Sequence, residues 1–219
     1  MNRMTDDFAS LRDLFAADQL ILDPVELITY EIDAGVDRGY PGAVLFPADT
    51  RDVVAAVAWC RDHGVPIVAR GSGTGLSGGA VSVKGGLVLE FSRMKQIEQI
   101  DEISLRARFQ PGVIALPFAD TVAARGLHYP PDPASARSAS LGGTVAENAG
   151  GPHCLKYGVT ANYVMGMEVV LPDTQRLTLG GPALDYPGVD LAALLTGNEG
   201  SLAIITKTTV RLLAKPPAV

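Results

Sequence analysis

The sequence predicts an α+β fold in which a small parallel βαβ subdomain precedes a larger, mainly antiparallel α+β subdomain. Three observations predict it: an early strand–helix–strand pattern, dense glycine clusters in the middle of the chain, and late strands rich in valine, isoleucine and threonine. We expect a helical segment over residues 1–39, followed by one domain over residues 40–219, whose two subdomains span about residues 40–95 and 96–219.

The first subdomain is predicted from a single strand–helix–strand unit. After an amphipathic helix over residues 8–20, one apolar strand covers residues 43–46 and another covers residues 65–69. Between these strands, Thr50 is a candidate N-cap for a helix that ends at Gly64. This order favours two parallel strands joined by a right-handed crossover.

After the strand–helix–strand unit, the sequence predicts one more buried strand and then a mainly antiparallel arrangement of strands and short helices. In chain order, the pattern predicts a buried strand over residues 87–91, paired strands over 97–100 and 105–109, helices over 113–124 and 140–147, a β-hairpin of residues 163–171 and 175–179, a helical turn over 190–195 and a strand over 203–213.

The composition is that of an ordinary globular protein, and its acidity disfavours nucleic acid as a partner. Hydrophobic residues make up 47% of the 219 residues, and the formal net charge is -6 without any basic run. No apolar run reaches the roughly 18 residues of a transmembrane helix. The two cysteines, Cys60 and Cys154, form neither a disulfide framework nor a metal-ligand spacing. We therefore expect a cytoplasmic protein with no metal, no nucleic acid partner and no transmembrane segment.

The sequence RGSGTGLSGGA at residues 70–80 is the first glycine motif. It contains the pattern G-x-G-x-x-G of dinucleotide-binding Rossmann domains, and Glu90 stands about where a ribose-binding acid would follow. That fingerprint needs a helix directly after it, and the seven residues 80–86, which include two glycines, leave no room for one. The hydrolase pattern G-x-S-x-G, centred on Ser77, meets the same objection.

The feature that these patterns share is a backbone able to bind an anion. Glycines at alternate positions let several N–H groups converge on one concave spot. The guanidinium of Arg70 and the hydroxyls of Ser72 and Thr74 could supplement that site. The motif therefore predicts a loop that binds phosphate.

Two further motifs extend the predicted site. Prolines fix a loop at residues 130–133, and Gly142 and Gly143 would let the backbone lie flat against a planar group. Farther along, glycines flank Glu199 just before a β-branched strand. Together with the first motif, these predict a long ligand that is held at both ends.

The three motifs, in this order, resemble the FAD-binding domain of the vanillyl-alcohol oxidase flavoprotein superfamily, which has the PCMH-type FAD-binding fold. Within it, the sequence is most similar to glycolate oxidase FAD subunits and D-lactate dehydrogenases. The resemblance runs from about Tyr40 to the end of the chain and is carried by PIVARGSGTGLSGG at residues 66–79, PPDP at 130–133, GGTVAENAGGPHCLKYG at 142–158 and GNEGSL at 197–202.

The resemblance implies that FAD lies between the two subdomains. It implies non-covalent binding, since Thr74 stands about where some relatives carry a histidine bonded to flavin, and Ala203 departs from a glycine that is common in the family. The implied FAD residues are Arg70, Gly71, Ser72, Gly73, Thr74, Gly75 and Leu76 at the pyrophosphate, Pro131, Asp132, Ser138, Gly142, Gly143, Ala149 and Gly151 around the ribityl chain and flavin, and Gly158, Glu199, Gly200 and Ile204 or Ile205 on the adenine and ribose side.

The resemblance also implies an activity: oxidation of a small 2-hydroxy acid, of the glycolate or D-lactate type, by hydride transfer to flavin N5. In this family a separate domain binds the substrate and carries the catalytic and metal-binding groups, and we expect it to be absent from this chain. The catalytic residues are therefore unknown, and the missing domain or a companion subunit is an expected partner. A NAD-binding Rossmann domain and a non-catalytic flavin-binding or assembly module stay open as alternatives.

Overall fold

Two β-sheets, one mainly parallel and one antiparallel, organise residues 8–181 and 188–217, which are the residues described by this computed structural model. The first seven residues of the expected N-terminal helical segment lie outside the described residues. The combination of mixed and antiparallel sheets with helices confirms the predicted α+β class.

The first sheet has four strands in the order β1-β2-β4-β3. Its strands are β1 (Leu20–Ile21), β2 (Ala43–Leu45), β3 (Ile67–Arg70) and β4 (Leu87–Glu90). Helix α2 (Thr50–His63) links β2 to β3, and both strands run parallel to β4, which lies between them. The predicted parallel βαβ unit is therefore confirmed, and β1 adds an antiparallel edge strand from the N-terminal segment.

The N-cap of helix α2 is Asp49 rather than Thr50, so the predicted cap was wrong by one residue. The Asp49 carboxylate accepts hydrogen bonds from the backbone N–H groups of Arg51, at 2.7 Å, and Asp52, at 3.3 Å. Because Asp49 already caps the helix, Thr50 is free to turn its hydroxyl into the protein interior. The predicted stop at Gly64 is confirmed, with a φ of 63°.

The single helix predicted over residues 8–20 is wrong. Phe8 and Ala9 are helical, and two 3₁₀ turns follow, Ser10–Asp13 and Ala17–Gln19, which are separated by extended backbone at Ala16. The apolar face that suggested a helix is nevertheless buried, and the ring of Phe8 lies 5.5 Å from that of Trp59. Packing on helix α2 thus fixes this segment without a continuous helix.

The second sheet has five antiparallel strands in the order β5-β6-β10-β8-β9. The strands are β5 (Ile97–Asp101), β6 (Arg106–Phe109), β8 (Val164–Val170), β9 (Arg176–Gly180) and β10 (Ile204–Arg211). Each was predicted within a few residues of its bounds, including the β8–β9 hairpin.

Short elements complete the fold around the two sheets. Three of the five helices named here correspond to predicted ones, the other two were not predicted, and two short strands that were also not predicted pair with each other. These elements are α1 (Pro24–Leu27), α3 (Ala115–Ala123), β7 (Leu127–His128), α4 (Leu141–Ala146), α5 (Cys154–Tyr157), α6 (Leu191–Leu195) and β11 (Leu213–Ala214). None of the helices in the described part of the chain combines the length and apolar character that crossing a bilayer requires.

A buried polar cluster joins helix α2 to the second sheet. The Glu168 carboxylate accepts hydrogen bonds from the hydroxyls of Thr50 and Thr206, each at 2.8 Å. Burial raises the pKa of Glu168, but these two donors and the nearby Lys207 and Arg176 outweigh burial, so the pKa lies below its usual value. The cluster therefore holds an ionised carboxylate between the two sheets.

Replacing Thr50 by valine tests this cluster, because it removes one donor while nearly preserving the side-chain shape. We expect the free energy of unfolding to fall by about 1–3 kcal/mol at neutral pH. The depressed pKa of Glu168 contributes stability that is present above the unfolded pKa and is lost as the pH falls through the folded pKa. The cost of Thr50→Val should therefore shrink in acid, as measured by denaturant unfolding across pH.

The matched control is Thr121→Val, since the Thr121 hydroxyl donates to the carbonyl of Pro117 on an exposed helix face. We expect little change in its unfolding free energy. A cost for Thr50→Val that is independent of pH, or equal to that of the control, would contradict this account of the cluster.

Candidate functional site

A cleft of about 350 Å³ lies between the loop that follows strand β3 and helix α4. One wall is the glycine loop, defined here as residues 71–80, which leaves strand β3 of the first sheet. The opposite wall consists of helix α4 and the turn at residues 199–200. The volume falls within the range of small-molecule sites, which is about 300–1,000 Å³.

The connection from β3 to β4 contains turns and bends but no helix over residues 71–86. A Rossmann domain requires a helix whose N-terminus follows the glycine fingerprint, so that alternative is overturned. Glu90, its candidate ribose-binding acid, instead accepts hydrogen bonds from the backbone N–H and the hydroxyl of Ser92. The nucleophile-elbow pattern at Ser77 fails for the same reason, because no helix follows it.

The glycine loop presents its backbone to the cleft. Residues 71–77 all line the cleft, and within the described part of the chain none of their backbone N–H groups donates a hydrogen bond. Polar N–H groups without a protein acceptor need water or a ligand as a partner. A run of such groups at one concave surface is suited to the oxygens of a phosphate.

Arg70 holds the base of this loop from inside the protein. Its guanidinium donates to the carbonyl of Ile32 at 2.8 Å and to that of Ala80 at 3.1 Å, and it lies over the ring of Tyr30 at 5.7 Å from the centroid. Both η nitrogens are therefore engaged by the protein's own carbonyls. The guanidinium acts on the cleft by fixing the shape of the loop.

Charges around Arg70 explain how a buried guanidinium is tolerated. Burial lowers the pKa of Arg70, and the carboxylates of Asp33 and Glu90 oppose that shift. Burial also raises the pKa of Glu90, against hydrogen bonds from Ser92 and the charge of Arg70. Two acids thus compensate one buried cation behind the loop.

The N-terminal segment supplies part of the support for the glycine loop. The Ala34 N–H donates to the carbonyl of Gly75 at 3.2 Å, and the Asp33 carboxylate accepts from the Gly35 N–H at 2.7 Å. Tyr40 donates its N–H to the carbonyl of Ser82 at 2.9 Å. This segment is therefore part of the framework of the cleft.

The opposite wall begins at the N-terminus of helix α4. Ser140 caps that helix by accepting from the Gly143 N–H at 3.3 Å. A Cβ added at Gly142 would lie 2.4 Å from Cβ of Pro111, and one at Gly71 would lie 2.1 Å from Oγ of Ser140. Glycine at these positions lets the walls pack closely.

The third motif is anchored on helix α4. The Gly197 N–H donates to the carbonyl of Val145 at 2.9 Å, and the Glu199 N–H donates to that of Ala146 at 3.0 Å. Glu199 has a left-handed φ of 53°, which is uncommon for a residue other than glycine. These contacts hold the Glu199 side chain at the cleft.

The two isoleucines predicted for the adenine and ribose side of FAD, Ile204 and Ile205, are neighbours on strand β10 and lie in different surroundings. Ile205 lines the cleft, whereas Ile204 packs in the core formed by helix α2 and the first sheet. Successive strand residues point to opposite faces, so only one of the two can face the cleft.

The structure brings most of the residues predicted for FAD to this cleft. Those that line it are Arg70, Gly71, Ser72, Gly73, Thr74, Gly75, Leu76, Gly142, Gly143, Ala149, Glu199, Gly200 and Ile205. Those that lie outside its lining are Pro131, Asp132, Ser138, Gly151, Gly158 and Ile204.

Some of the outlying residues have local packing roles. A Cβ at Gly151 would lie 2.1 Å from the carbonyl oxygen of Asp132, so glycine permits close contact with the proline-fixed loop. Gly158 ends helix α5 with a φ of 79°. The carboxylate of Asp132 lies 3.4 Å from Nδ1 of His153 on the protein surface.

Sequence reasoning assigned no role to several residues that line the cleft. Glu147 stands inside the motif GGTVAENAGG, yet its side chain accepts a hydrogen bond from the hydroxyl of Ser77 at 2.7 Å. Ser140 and Thr144 lie on the same wall. The cap position of Ser140 before two glycines was a local signal that could have placed Ser140 at the site.

The neighbouring His153 and Cys154 have structural partners. The thiol sulfur of Cys154 accepts the Gly151 N–H at 2.9 Å. Among the described residues, no group of three or more histidine, cysteine, aspartate and glutamate side chains is arranged to hold a metal ion.

Comparison with known proteins agrees with this geometry. Residues 41–180 match the family model described as FAD binding domain. The chain is 49% identical over 193 residues to glycolate oxidase subunit GlcD of Escherichia coli (strain K12), covering 88% of this chain and 39% of that protein. It is 40% identical over 170 residues to D-lactate dehydrogenase of Archaeoglobus fulgidus, covering 77% of this chain and 38% of that protein.

A solved structure shows the same fold. An alkyldihydroxyacetonephosphate synthase superposes with a TM-score of 0.85 at 23% identity, covering 97% of this chain and 44% of its own. The chain described here thus spans about two fifths of the length of the curated relatives that it matches, 39% for the first of them.

Substituting Gly73 by valine tests the shape of the glycine loop. Gly73 has a φ of 65°, and a Cβ there would lie 2.3 Å from Nη2 of Arg70. The left-handed backbone alone costs a residue other than glycine about 1–2 kcal/mol, or about tenfold in an equilibrium constant. We expect FAD retained per folded chain to fall by about tenfold or more, measured by flavin absorbance after gel filtration.

Gly181→Val is the matched control, because a Cβ at Gly181 meets nothing within 4 Å and lies outside the cleft. We expect it to keep its FAD. A Gly73→Val protein that melts at the wild-type temperature and keeps its FAD would show that this loop does not shape the site.

Proposed function

The chain belongs to the FAD-binding domain family, and from that premise we propose that its FAD lies in the cleft between the two subdomains. The observation that carries the proposal is that residues 71–77 line the cleft and that their backbone N–H groups have no acceptors in the described part of the chain. A dinucleotide pyrophosphate has the oxygens to accept from them.

The residues of the cleft fit such a cofactor in size and in chemistry. The loop wall offers amide donors without side chains at Gly71, Gly73 and Gly75, which lets the backbone approach a phosphate closely. The opposite wall has two adjacent glycines, Gly142 and Gly143, where the backbone can approach a planar ring. The carboxylate of Glu199 can accept hydrogen bonds from sugar hydroxyls.

We assign the pyrophosphate to the loop from Arg70 to Leu76 and the ribityl chain and flavin to Gly142, Gly143 and Ala149. Glu199, Gly200 and Ile205 form the adenine and ribose side. Pro131, Asp132, Ser138, Gly151, Gly158 and Ile204 belong to the same proposal as residues that shape the surrounding loops.

Bound FAD would supply an isoalloxazine ring that accepts a hydride. The contribution of this chain is to bind and orient that ring. Helix α4 and the glycine loop set the width of the cleft, and Arg70 keeps the loop in the shape that exposes its amides. Thr74 lines the cleft at about the position where some relatives attach flavin through a histidine. Threonine has no imidazole nitrogen to form that bond, so we propose that FAD is bound non-covalently.

We further propose that the whole protein oxidises a small 2-hydroxy acid of the glycolate or D-lactate type. Support comes from the names of the relatives, which include glycolate oxidase subunits, a D-lactate dehydrogenase and a D-2-hydroxyglutarate dehydrogenase. Substrate recognition and proton abstraction would be carried out by a region that corresponds to the part of the relatives outside the match, or by a companion subunit. A cytoplasmic location is part of the proposal and accords with two free cysteines.

The purified chain tests the cofactor assignment. We expect the absorbance spectrum of an oxidised flavin, and we expect acid precipitation to leave that flavin in the supernatant as intact FAD. A folded chain that stays colourless after incubation with FAD would contradict the assignment, and flavin that stays with the precipitate would contradict non-covalent binding.

Turnover tests the assignment of the activity. A protein that includes the full length of the relatives should bleach its flavin anaerobically when glycolate or D-lactate is added, whereas the chain of 219 residues should keep its flavin oxidised. Bleaching by neither acid in the longer protein would favour a non-catalytic flavin-binding module. Bleaching in the short chain would show that the short chain contains the substrate site.

A further inference from the structure

We infer that Glu147 is a positioning residue for FAD, because it fastens the glycine loop to the opposite wall of the cleft through Ser77. The Ser77–Glu147 hydrogen bond is called the latch below. The inference rests on the proposed location of FAD, and it adds a contact that governs how fast the cofactor leaves.

The latch crosses the cleft. The Ser77 hydroxyl donates to Oε2 of Glu147 at 2.7 Å, although the two residues are 70 positions apart in the chain. Ser77 belongs to the glycine loop, Glu147 follows directly after helix α4, and both line the cleft. Among the residues that the structure describes, no other hydrogen bond between two side chains joins these walls.

The two ends of the latch differ in how firmly the backbone holds them. The Glu147 N–H donates to the carbonyl of Gly143 at 2.9 Å, and the next residues stay tied to helix α4 through Ala149, which donates to Thr144 at 2.8 Å. The N–H groups on the Ser77 side have no such partners over residues 71–77 of the described chain. The latch therefore fastens a loosely bonded segment to a firmly bonded one.

Other contacts hold the loop elsewhere, so the latch has a part of its own. Arg70 fixes the base of the loop, and Ala34 donates to the carbonyl of Gly75. Ser77 lies between the two loop positions that these contacts hold, Gly75 and Ala80. Without the latch, the part of the loop beyond Gly75 would have no side-chain hydrogen bond to the second subdomain within the described residues.

The surroundings of Glu147 leave Ser77 as its partner. No lysine, arginine or histidine in the described chain lies within salt-bridge distance of Glu147. Its other oxygen, Oε1, and Oε2 of Glu199 both lie 2.8 Å from the point where a Cβ on Gly79 would sit. Two like charges so close repel each other, and the hydroxyl of Ser77 holds one of them in place.

A cofactor held between the two walls can leave more easily when the walls can separate. The latch resists that separation at the rim, where both of its side chains are exposed to solvent. A single hydrogen bond of this kind corresponds to about two- to tenfold in a rate or equilibrium constant. We therefore expect loss of the latch to raise the dissociation rate of FAD by about two- to tenfold.

The test measures FAD release from the purified chain as the rise in flavin fluorescence over time after rapid dilution into buffer that contains no FAD. Four proteins are compared with the wild type: Ser77→Ala, Glu147→Ala, the double variant and Glu147→Gln. Glutamine keeps a carbonyl oxygen that can accept from Ser77, so it should restore the slow rate. Glu102→Ala, which removes an exposed carboxylate outside the cleft, is the matched control.

The latch predicts that both single alanine variants release FAD faster by a similar factor, and that the double variant is no faster than either. Glu147→Gln and the control should stay within about twofold of the wild type. Unchanged rates in the single variants would overturn the latch. Additive effects, or Glu147→Gln as fast as Glu147→Ala, would also overturn it, because Glu147 would then act on the cofactor through its charge.

The wild type separates failure of the latch from failure of the cofactor assignment. A folded wild-type chain that binds no FAD overturns the proposed function and the latch together. A wild-type chain that binds FAD, with variants that release it at the same rate, overturns the latch alone. The melting temperature of each variant shows whether it is folded. We expect all of them to fold, because Ser77 and Glu147 are exposed to solvent.

Discussion

The buried guanidinium of Arg70 is the interaction on which the cleft depends. It joins three parts of the chain that are distant in sequence: the N-terminal segment at Ile32, the end of strand β3, and the return of the loop at Ala80. A buried cation is costly unless it is paired and fully hydrogen-bonded, and Asp33 and Glu90 provide the compensating charge. The loop can therefore leave its own amide groups free, because its shape is set from behind.

The two sheets likewise form a framework that is separate from the site. The Glu168 cluster and the core around helix α2 fix the first sheet against the second. Helix α4 then brings the third motif to the cleft through backbone hydrogen bonds from Gly197 and Glu199. Rigid elements thus position loops whose polar groups are available to a ligand, which is the arrangement expected of a cofactor site.

The sequence was sufficient for every strand of the two sheets except the edge strand β1, because strand periodicity and the stop at Gly64 are local signals. It failed where tertiary contacts decide the outcome: packing of Phe8 on helix α2 replaced the expected N-terminal helix with two short turns. At the site, glycine spacing located the loop, but the hydrogen bond between Ser77 and Glu147 has no local signature. Two-residue strands such as β7 and β11 are too short to show any periodicity.

The absence of a helix between β3 and β4 in the described chain has a consequence for how a dianionic cofactor would approach. A helix at that point would direct its macrodipole toward the pyrophosphate, whereas here separate amide groups act only at contact distance. The positive charge of Arg70 lies next to the carboxylates of Asp33 and Glu90, and the net charge of -6 provides no long-range attraction. Encounter should therefore proceed by diffusion without electrostatic steering, and its rate should not fall as ionic strength rises.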